Sequence, residues 1–173
     1  IDFASPLVFV AAEALGKTGH ETKQELDADT ALKARLEAIR IEIALRAGLS
    51  DVRQSVLPKI ALVATPERGG TIASRYFTPW SCHSAFAVTG ALCLAAAASI
   101  AGTVPARYAR RSVDDPDLIR IEHPAGGLDI RMGEAPDSTP EAPRFAVAGL
   151  VRTARPLFVG VVHVPVGQIH QAA

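Results

Sequence analysis

Residues 75–100 read RYFTPWSCHSAFAVTGALCLAAAASI, and this stretch decides the expected fold. It begins as an aromatic, strand-like segment, breaks at Pro79 and enters a run without charged side chains that lasts until Arg107. Alanine and leucine dominate residues 91–98 and favour a helix, and a glycine and a proline follow as a stop signal. A helix that is apolar on every side is a buried helix. We therefore predict a central helix from about Ala85 to Gly102, enclosed by strands.

The same uncharged run allows a second interpretation as a membrane-spanning helix. Residues 84–106 are long enough to cross a bilayer. However, the commonest residue of the run is alanine, which is only weakly hydrophobic, and the run lacks flanking basic residues and an aromatic belt on both sides. The sequence therefore favours a helix buried in a protein core.

The first turn of the predicted helix carries small residues. Thr89 and Gly90 leave the backbone N–H groups of a helix N-terminus open to an approaching anion. The pattern predicts a carboxylate-binding site at this end of the helix. A core helix with no binding site at its end is the alternative that the pattern leaves open.

Composition indicates one globular domain over residues 1–173. Hydrophobic residues make up 49% and charged residues 21%, and the 18 basic side chains equal the 18 acidic ones. This balance favours neither nucleic acid nor an anionic membrane as a partner. Two cysteines do not make a disulfide framework, so we expect a reducing, cytoplasmic setting. The chain opens at Ile1 in a strand-like run without a signal-peptide pattern, as if it were entered in the middle of a longer protein.

The remaining elements follow from periodicity and turn residues. Apolar residues recur at helical spacing over residues 30–47, with Asp29 as N-cap and Gly48 at the end. Alternation over residues 118–123 predicts one buried face and an exposed face with Arg120 and Glu122. Strands are predicted over residues 1–12 with an interruption at Ser5-Pro6, and over 59–65, 71–77, 118–123, 128–132, 144–153 and 157–165. Residues 59–65 with 71–77, and residues 118–123 with 128–132, are expected to form hairpins. Strands in runs rather than in strict alternation with helices favour an α+β fold, with a strongly curved, mostly antiparallel sheet around the central helix.

Four side chains are candidates for chemistry. Cys82 precedes the predicted helix, a position that lowers a thiol pKa, but buried structural cysteine is commoner and both interpretations stay open. His83 lies in the same polar turn and can donate a hydrogen bond to a carboxylate. The alternative is that it is an ordinary, solvent-exposed loop histidine. Lys59 stands at a strand start, where active-site residues of sheet proteins often lie. The alternative is an ordinary exposed lysine. His123 precedes Pro124, and we expect it to hold a turn. The histidines show no metal-ligand spacing, so no metal site is expected.

Several motifs resemble one family. The similarity to the 2-methylaconitate cis–trans isomerase and 4-oxalomesaconate tautomerase family rests on residues 6–10, 75–79, 82–83, 87–91, 118–126 and 151–155, in the family's order. This family is related to diaminopimelate epimerase, which has two similar domains, each a curved sheet around a central helix. Ala87 stands where the epimerase has a cysteine, which excludes a symmetric two-cysteine mechanism, and Ser5 replaces the usual asparagine. The chain resembles only the second half of these proteins.

The resemblance implies an isomerase that moves a proton and a double bond in a small unsaturated di- or tricarboxylate, such as a methylaconitate or oxalomesaconate, without a cofactor. The catalytic residues are not identified, because the family's main lysine and cysteine lie in the first domain. Expected partners are the substrate and a missing N-terminal domain or partner chain, and self-association is a further option. A non-catalytic half-domain that binds carboxylates or mediates an interaction is the alternative. The expected substrate-binding residues are Ser5, Lys59, His83, Thr89, Gly90 and Ala91.

Overall fold

Strands that are adjacent along the chain are also adjacent in the sheet. The computed structural model describes residues 1–140, 142–161 and 163. The seven strands of this part form one sheet in the order β1 to β7. Two pairs, β2–β3 and β4–β5, are parallel and the other four are antiparallel. The elements are β1 (Asp2–Phe3), β2 (Ser5–Ala11), a 3₁₀ helix (Ala12–Leu15), α1 (Lys23–Ala28), α2 (Thr30–Arg46), β3 (Lys59–Ala64), β4 (Ile72–Phe77), α3 (Val88–Ser99), α4 (Val104–Tyr108), β5 (Leu118–His123), β6 (Gly126–Glu134) and β7 (Phe145–Leu150).

The central helix is α3, which lies in the concavity of the sheet. Its residues from Gly90 to Ala98 are buried, apart from a half-buried Leu92, and it contacts β1, β2, β5, β6 and β7. The helix is shorter than predicted at both ends, because the chain from Ala85 to Ala87 stays extended or irregular and Ile100 is no longer helical. The buried helix, the α+β class and the mostly antiparallel curved sheet are confirmed. In the part of the chain that the structure describes, no helix combines the length and apolarity needed to span a membrane.

Helices cover the outer face of the sheet as well. Because successive strand residues point to opposite faces, Ala61 and Val63 face α3 while Ile60 and Leu62 face outward. The 3₁₀ helix, α1 and α2 pack on this outer face. Strand β3 is therefore buried on both sides, which explains its almost continuous apolar run. The second core comprises Ala12, Leu15, Leu26, Leu32, Leu36, Ile60, Leu62, Ala64, Ala73, Phe77 and Cys82.

The amphipathic helix α2 follows the prediction closely. Asp29 caps it, because its carboxylate accepts the N–H of Leu32 at 2.8 Å. Gly48 follows the helix end with a φ of 76°, a left-handed conformation that favours glycine. The short helix α1 was not predicted, although Thr22 and Glu25 form a complete capping box that signals a helix start in the sequence.

The β3–β4 and β5–β6 hairpins are confirmed, but the exposed face predicted for β5 is only half right. Arg120 is exposed, whereas Glu122 is buried with 2% of its surface accessible. The turn between β3 and β4 folds over Glu122. The Glu122 carboxylate accepts hydrogen bonds of 2.7 to 3.0 Å from three backbone N–H groups of this turn, those of Glu67, Arg68 and Gly70. Strand alternation predicts the face of a residue but not the loop that covers it.

The C-terminal segment differs most from the prediction. Strand β7 ends at Leu150, three residues short of the predicted end at Thr153. A further strand was predicted over residues 157–165; residues 157–161 form none, so the prediction is wrong there, and most of the remainder lies outside the described residues. Four large apolar side chains of this segment are 82% to 95% exposed: Leu157, Phe158, Val159 and Val161.

Candidate carboxylate-binding site

The start of α3 leaves backbone donors open. Its N-cap residue, Ala87, has no side chain that could accept a hydrogen bond, and the first N–H used inside the helix is that of Ala91, which donates to Ala87 O at 2.8 Å. The N–H groups of Val88, Thr89 and Gly90 have no partner among the described residues. These donors and the helix dipole favour an anion at this position. The open donors therefore differ from the predicted residues Thr89, Gly90 and Ala91. The N–H of Val88 is open as well, whereas the N–H of Ala91 is already used inside the helix.

Tyr76 on β4, which was not predicted as a site residue, organises the surroundings of these donors. Its buried ring packs against the ring of Phe86, with the centroids 4.6 Å apart, and edge-on against His83 at 6.1 Å. The ammonium of Lys59 lies 5.6 Å from the centre of the same ring, a cation–π arrangement. The ring also contacts Gly90. Tyr76 thus brings three of the predicted residues, Lys59, His83 and Gly90, around one point.

The structure shows why position 90 is a glycine, which could not be predicted from the sequence. A Cβ at this position would lie 2.6 Å from Cε2 and 3.0 Å from Oη of Tyr76. Glycine therefore lets the helix approach the tyrosine ring, rather than merely opening the first turn to an anion. The exposed residues of that turn are Val88 and Thr89.

The loop between β4 and α3 fixes His83. Its backbone N–H donates to Tyr76 O at 2.7 Å, and its ring Nδ1 accepts the N–H of Ala85 at 3.0 Å. In the neutral imidazole the proton then sits on Nε2, which is left as a donor. His83 therefore has an N–H available for a carboxylate, and its role in binding stays a prediction.

Lys59 and Ser5 lie at one end of the sheet. Lys59 begins β3 and pairs with Leu7 of the parallel strand β2. Ser5 is the first residue of β2, so it belongs to the same end of the sheet. Of the predicted binding residues, Lys59, His83 and Gly90 converge on Tyr76, Thr89 lies on the adjoining turn, and Ser5 is placed near them only by strand register.

The thiols do not fit a nucleophilic role. Burial, with the Asp27 carboxylate adding to it, raises the pKa of Cys82 to about 11. The lowered pKa considered for this residue is wrong, because Cys82 is enclosed and α3 begins only at Val88. Burial likewise raises the pKa of Cys93, and both thiols are free. At neutral pH both are protonated.

Two further predictions concern histidine. His123 holds the β5–β6 turn as expected, since its Nδ1 accepts the N–H of Ala125 at 3.2 Å. Over residues 1–140, 142–161 and 163, no three His, Cys, Asp or Glu side chains are grouped to hold a metal ion.

A separate cavity of about 460 Å³ lies over β5 and β6 and includes arginine side chains. Arg120 is paired with Asp129 through two hydrogen bonds of 2.7 and 2.8 Å. Arg68 donates to the carbonyl groups of His123 and Gly126. Arg152 also lines this cavity. Two of the three arginines there already have partners, and these two offer less to a carboxylate than the open donors of α3.

The chain is similar to several known proteins. The 4-oxalomesaconate tautomerase of Pseudomonas putida is 42% identical over 162 residues, which cover 94% of this chain and 43% of that protein. The (4E)-oxalomesaconate Delta-isomerase of a Novosphingobium species is 37% identical over 164 residues, 95% of this chain and 44% of that protein. A crystal structure of methylitaconate-delta-isomerase superposes with a TM-score of 0.74 and 27% identity, covering 87% of this chain and 45% of that one.

The chain therefore spans less than half the length of the relatives it matches. The structural match confirms the diaminopimelate epimerase-like fold that the motifs predicted. The profile of the PrpF protein family matches residues 1–165. This chain belongs to the PrpF protein family, and the relatives it matches are isomerases and tautomerases.

Proposed function

We propose that this chain is the carboxylate-binding half of a cofactor-independent isomerase that relocates a proton and a double bond in an unsaturated di- or tricarboxylate. One observation carries the proposal: the helix turn with three open N–H groups contacts Tyr76 through Gly90, and Lys59 and His83 adjoin the same tyrosine ring. Relatives named for oxalomesaconate and a structural neighbour named for methylitaconate support an unsaturated polycarboxylate as substrate.

In this mechanism the chain holds the substrate by one carboxylate. Removal of a proton α or γ to that group spreads negative charge onto its oxygens. The N–H groups of Val88, Thr89 and Gly90 are already oriented toward this charge and need no reorganisation when it develops. Lys59 adds a positive charge and His83 an N–H donor from Nε2. These groups stabilise the deprotonated intermediate, which carries one more negative charge, more than they stabilise the reactant carboxylate.

The base and acid that move the proton come from a partner in this proposal, either the polypeptide corresponding to the unmatched part of the relatives or another chain. The match of this chain to about 43% of the Pseudomonas putida tautomerase supports such a partner. With the start of α3 facing solvent, water screens its electrostatic pull, and a second wall would exclude that water. The two free thiols are compatible with the cytoplasmic location that we also infer.

The experiment compares this chain alone with a fusion that adds the unmatched part of the Pseudomonas putida tautomerase. Turnover of cis-aconitate and related acids is followed by the ultraviolet absorbance of the conjugated double bond. We expect no turnover from the chain alone and measurable turnover from the fusion, lost in the fusion that carries Lys59→Met. Turnover by the isolated chain at about 10 per second, an ordinary enzyme rate, would show that the catalytic base lies within these residues.

The alternative, a non-catalytic half-domain, predicts a different pattern. Carboxylate binding would persist while the fusion, correctly folded by circular dichroism, stays inactive on every acid tested. The open N–H groups of α3 serve binding equally well in both cases, so activity of the fusion is the measurement that separates them.

A further inference from the structure

The hydroxyl of Tyr76 is enclosed and lacks a hydrogen-bond partner. Within the described part of the chain it is the single buried side-chain nitrogen or oxygen in this condition. A hydroxyl taken out of water without a partner destabilises a fold, and phenylalanine would fill the same space without that cost. The packing against Phe86, His83 and Gly90 therefore explains why an aromatic ring occupies position 76. It does not explain why that ring carries a hydroxyl group.

The position of this oxygen relates it to α3. A Cβ built on Gly90 would lie 3.0 Å from Tyr76 Oη. Gly90 carries one of the three open N–H groups, so Oη lies beside a residue that supplies a donor of the site. Burial, with the Cys93 thiol adding to it, raises the pKa of Tyr76 to about 12, so the oxygen carries its proton at neutral pH and can donate.

We propose that the Tyr76 hydroxyl donates a hydrogen bond to the carboxylate bound at the start of α3, and that it is a binding residue of this site. The inference rests on the proposed function and adds a donor from the sheet to those of the helix. In the free protein Oη is enclosed, so the ligand must uncover it. Phe86, which packs on the Tyr76 ring and belongs to the loop before α3, is the side chain whose movement would do so.

The chemistry favours a carboxylate over its amide. All the groups gathered here are donors: the helix N–H groups, Nε2 of His83, the Lys59 ammonium and the Tyr76 O–H. A carboxylate is acceptor-only and satisfies donors on two sides, whereas an amide presents N–H groups that find no acceptor among them. A carboxamide analogue of the ligand should therefore bind more weakly.

The chain contains two tyrosines, which provides a matched control. Tyr76→Phe keeps the ring contacts and removes only the oxygen. Tyr108→Phe removes a hydroxyl that donates to Glu13 Oε1 at 2.6 Å, away from the site. With cis-aconitate as the probe in isothermal titration, we expect Tyr76→Phe to weaken binding about tenfold, as for loss of a hydrogen bond to a charged group. Tyr108→Phe should leave the affinity within about twofold.

Two measurements exclude a merely structural effect. In the ligand-free protein, Tyr76→Phe should raise the urea midpoint of unfolding, because it removes an unpaired buried hydroxyl. Binding of cis-aconitate should shift the near-ultraviolet tyrosine absorption of wild type and Tyr108→Phe to longer wavelength, but not that of Tyr76→Phe. A lower midpoint for Tyr76→Phe would show that the hydroxyl already has an internal partner and would overturn the inference.

The outcomes also separate the inference from the proposed function. If wild type and Tyr76→Phe bind the probe equally, the role of the hydroxyl is wrong while carboxylate binding stands. If wild type binds neither cis-aconitate nor the related acids of the turnover assay, both are wrong.

Discussion

Glu122 illustrates, at the scale of single residues, how a buried charge orders the loop before β4. Burial pulls the pKa of this carboxyl upward, but the N–H groups of Glu67, Gly70 and Arg68 together bring it below its ordinary value of 4.5. The folded state therefore prefers the ionised form. This contribution to stability is complete above the ordinary pKa and is lost as pH falls through the lowered pKa of the folded protein.

Replacing Glu122 by glutamine should lower the free energy of unfolding at pH 7 by about 2 kcal/mol, because charge-assisted hydrogen bonds become neutral ones. The variant should also lose less stability than wild type below pH 4.5, measured by urea unfolding at several pH values. Glu42→Gln, at an exposed pair with Arg46, is the control and should cost at most about 0.5 kcal/mol. Parallel pH profiles for wild type and Glu122→Gln would contradict the assignment.

Because Gly90 lies against Tyr76, we expect its replacement by alanine to destabilise the protein, the opposite of the usual effect of Gly→Ala in a helix. Gly→Ala in a helix ordinarily stabilises by up to about 1 kcal/mol. At Gly90 the new methyl group would meet the buried tyrosine ring at 2.6 Å, so we expect a loss of about 1–3 kcal/mol in thermal or urea unfolding. Gly149→Ala, whose Cβ meets nothing within 4 Å, is the control and should change stability by less than about 0.5 kcal/mol. Stabilisation by Gly90→Ala would show that the ring is not packed against this helix turn.

Residue roles were harder to predict from the sequence than residue positions. His83 was predicted from a polar turn beside the helix start, and Lys59 from its place at the start of a strand. Tyr76 was not, because an aromatic residue on a strand is typical of any core and only the folded structure shows what its ring touches. Glu122 was placed on an exposed face because alternation carries no information about a loop that later covers that face.

At the scale of elements, Arg40 joins α2 to the segment that leads into β3. Its guanidinium is fully buried, pairs with Glu37 at 2.7 Å and donates to the carbonyl of Val52 at 2.8 Å. Longer hydrogen bonds reach the carbonyls of Leu57 and Pro58, just before Lys59. Among the charged residues of α2, Arg40 is thus enclosed by the segment that follows the helix.

Arg40→Met should lower the free energy of unfolding by about 3 kcal/mol, because the Glu37 carboxylate and three carbonyl groups lose their donor. Arg46→Met, on the exposed end of the same helix, is the matched control and should cost less than about 0.5 kcal/mol. Urea unfolding of both variants is the measurement. Equal effects would mean that Arg40 is solvated rather than enclosed.

Most elements could be predicted because their periodicity is long and their boundaries carry turn residues. The helices α2 and α3 and the two hairpins belong to this group. The short α1 was missed although its capping box is present, since six residues are too few to show a helical period. The predicted strand over residues 157–165 fails in its described residues because β propensity needs a neighbouring strand to pair with.

In the molecule as a whole, the segment that follows the last strand of the sheet exposes large apolar side chains to solvent. Leu157, Phe158, Val159 and Val161 are all more than 80% exposed. Exposed apolar side chains in one contiguous run are typical of surfaces that contact another chain. They support the proposal that a partner completes this half.

In the absence of a partner, this segment should promote weak self-association. Leu157→Ser with Phe158→Ser should reduce concentration-dependent association in sedimentation velocity without changing the thermal midpoint, since both side chains are largely exposed. Val113→Ser, at an isolated valine that is 94% exposed, is the control and should leave the association unchanged. Association that persists in the double variant would place the contact elsewhere.

The claim that the start of α3 binds carboxylates is tested most directly by nuclear magnetic resonance. In a titration of the ¹⁵N-labelled chain with cis-aconitate, the amide signals of Val88, Thr89 and Gly90 should shift together and saturate with one affinity. Gly126 and Gly127, which line the arginine-containing cavity over β5 and β6, should stay in place. Shifts confined to these two glycines, with the three helix amides unchanged, would contradict the account.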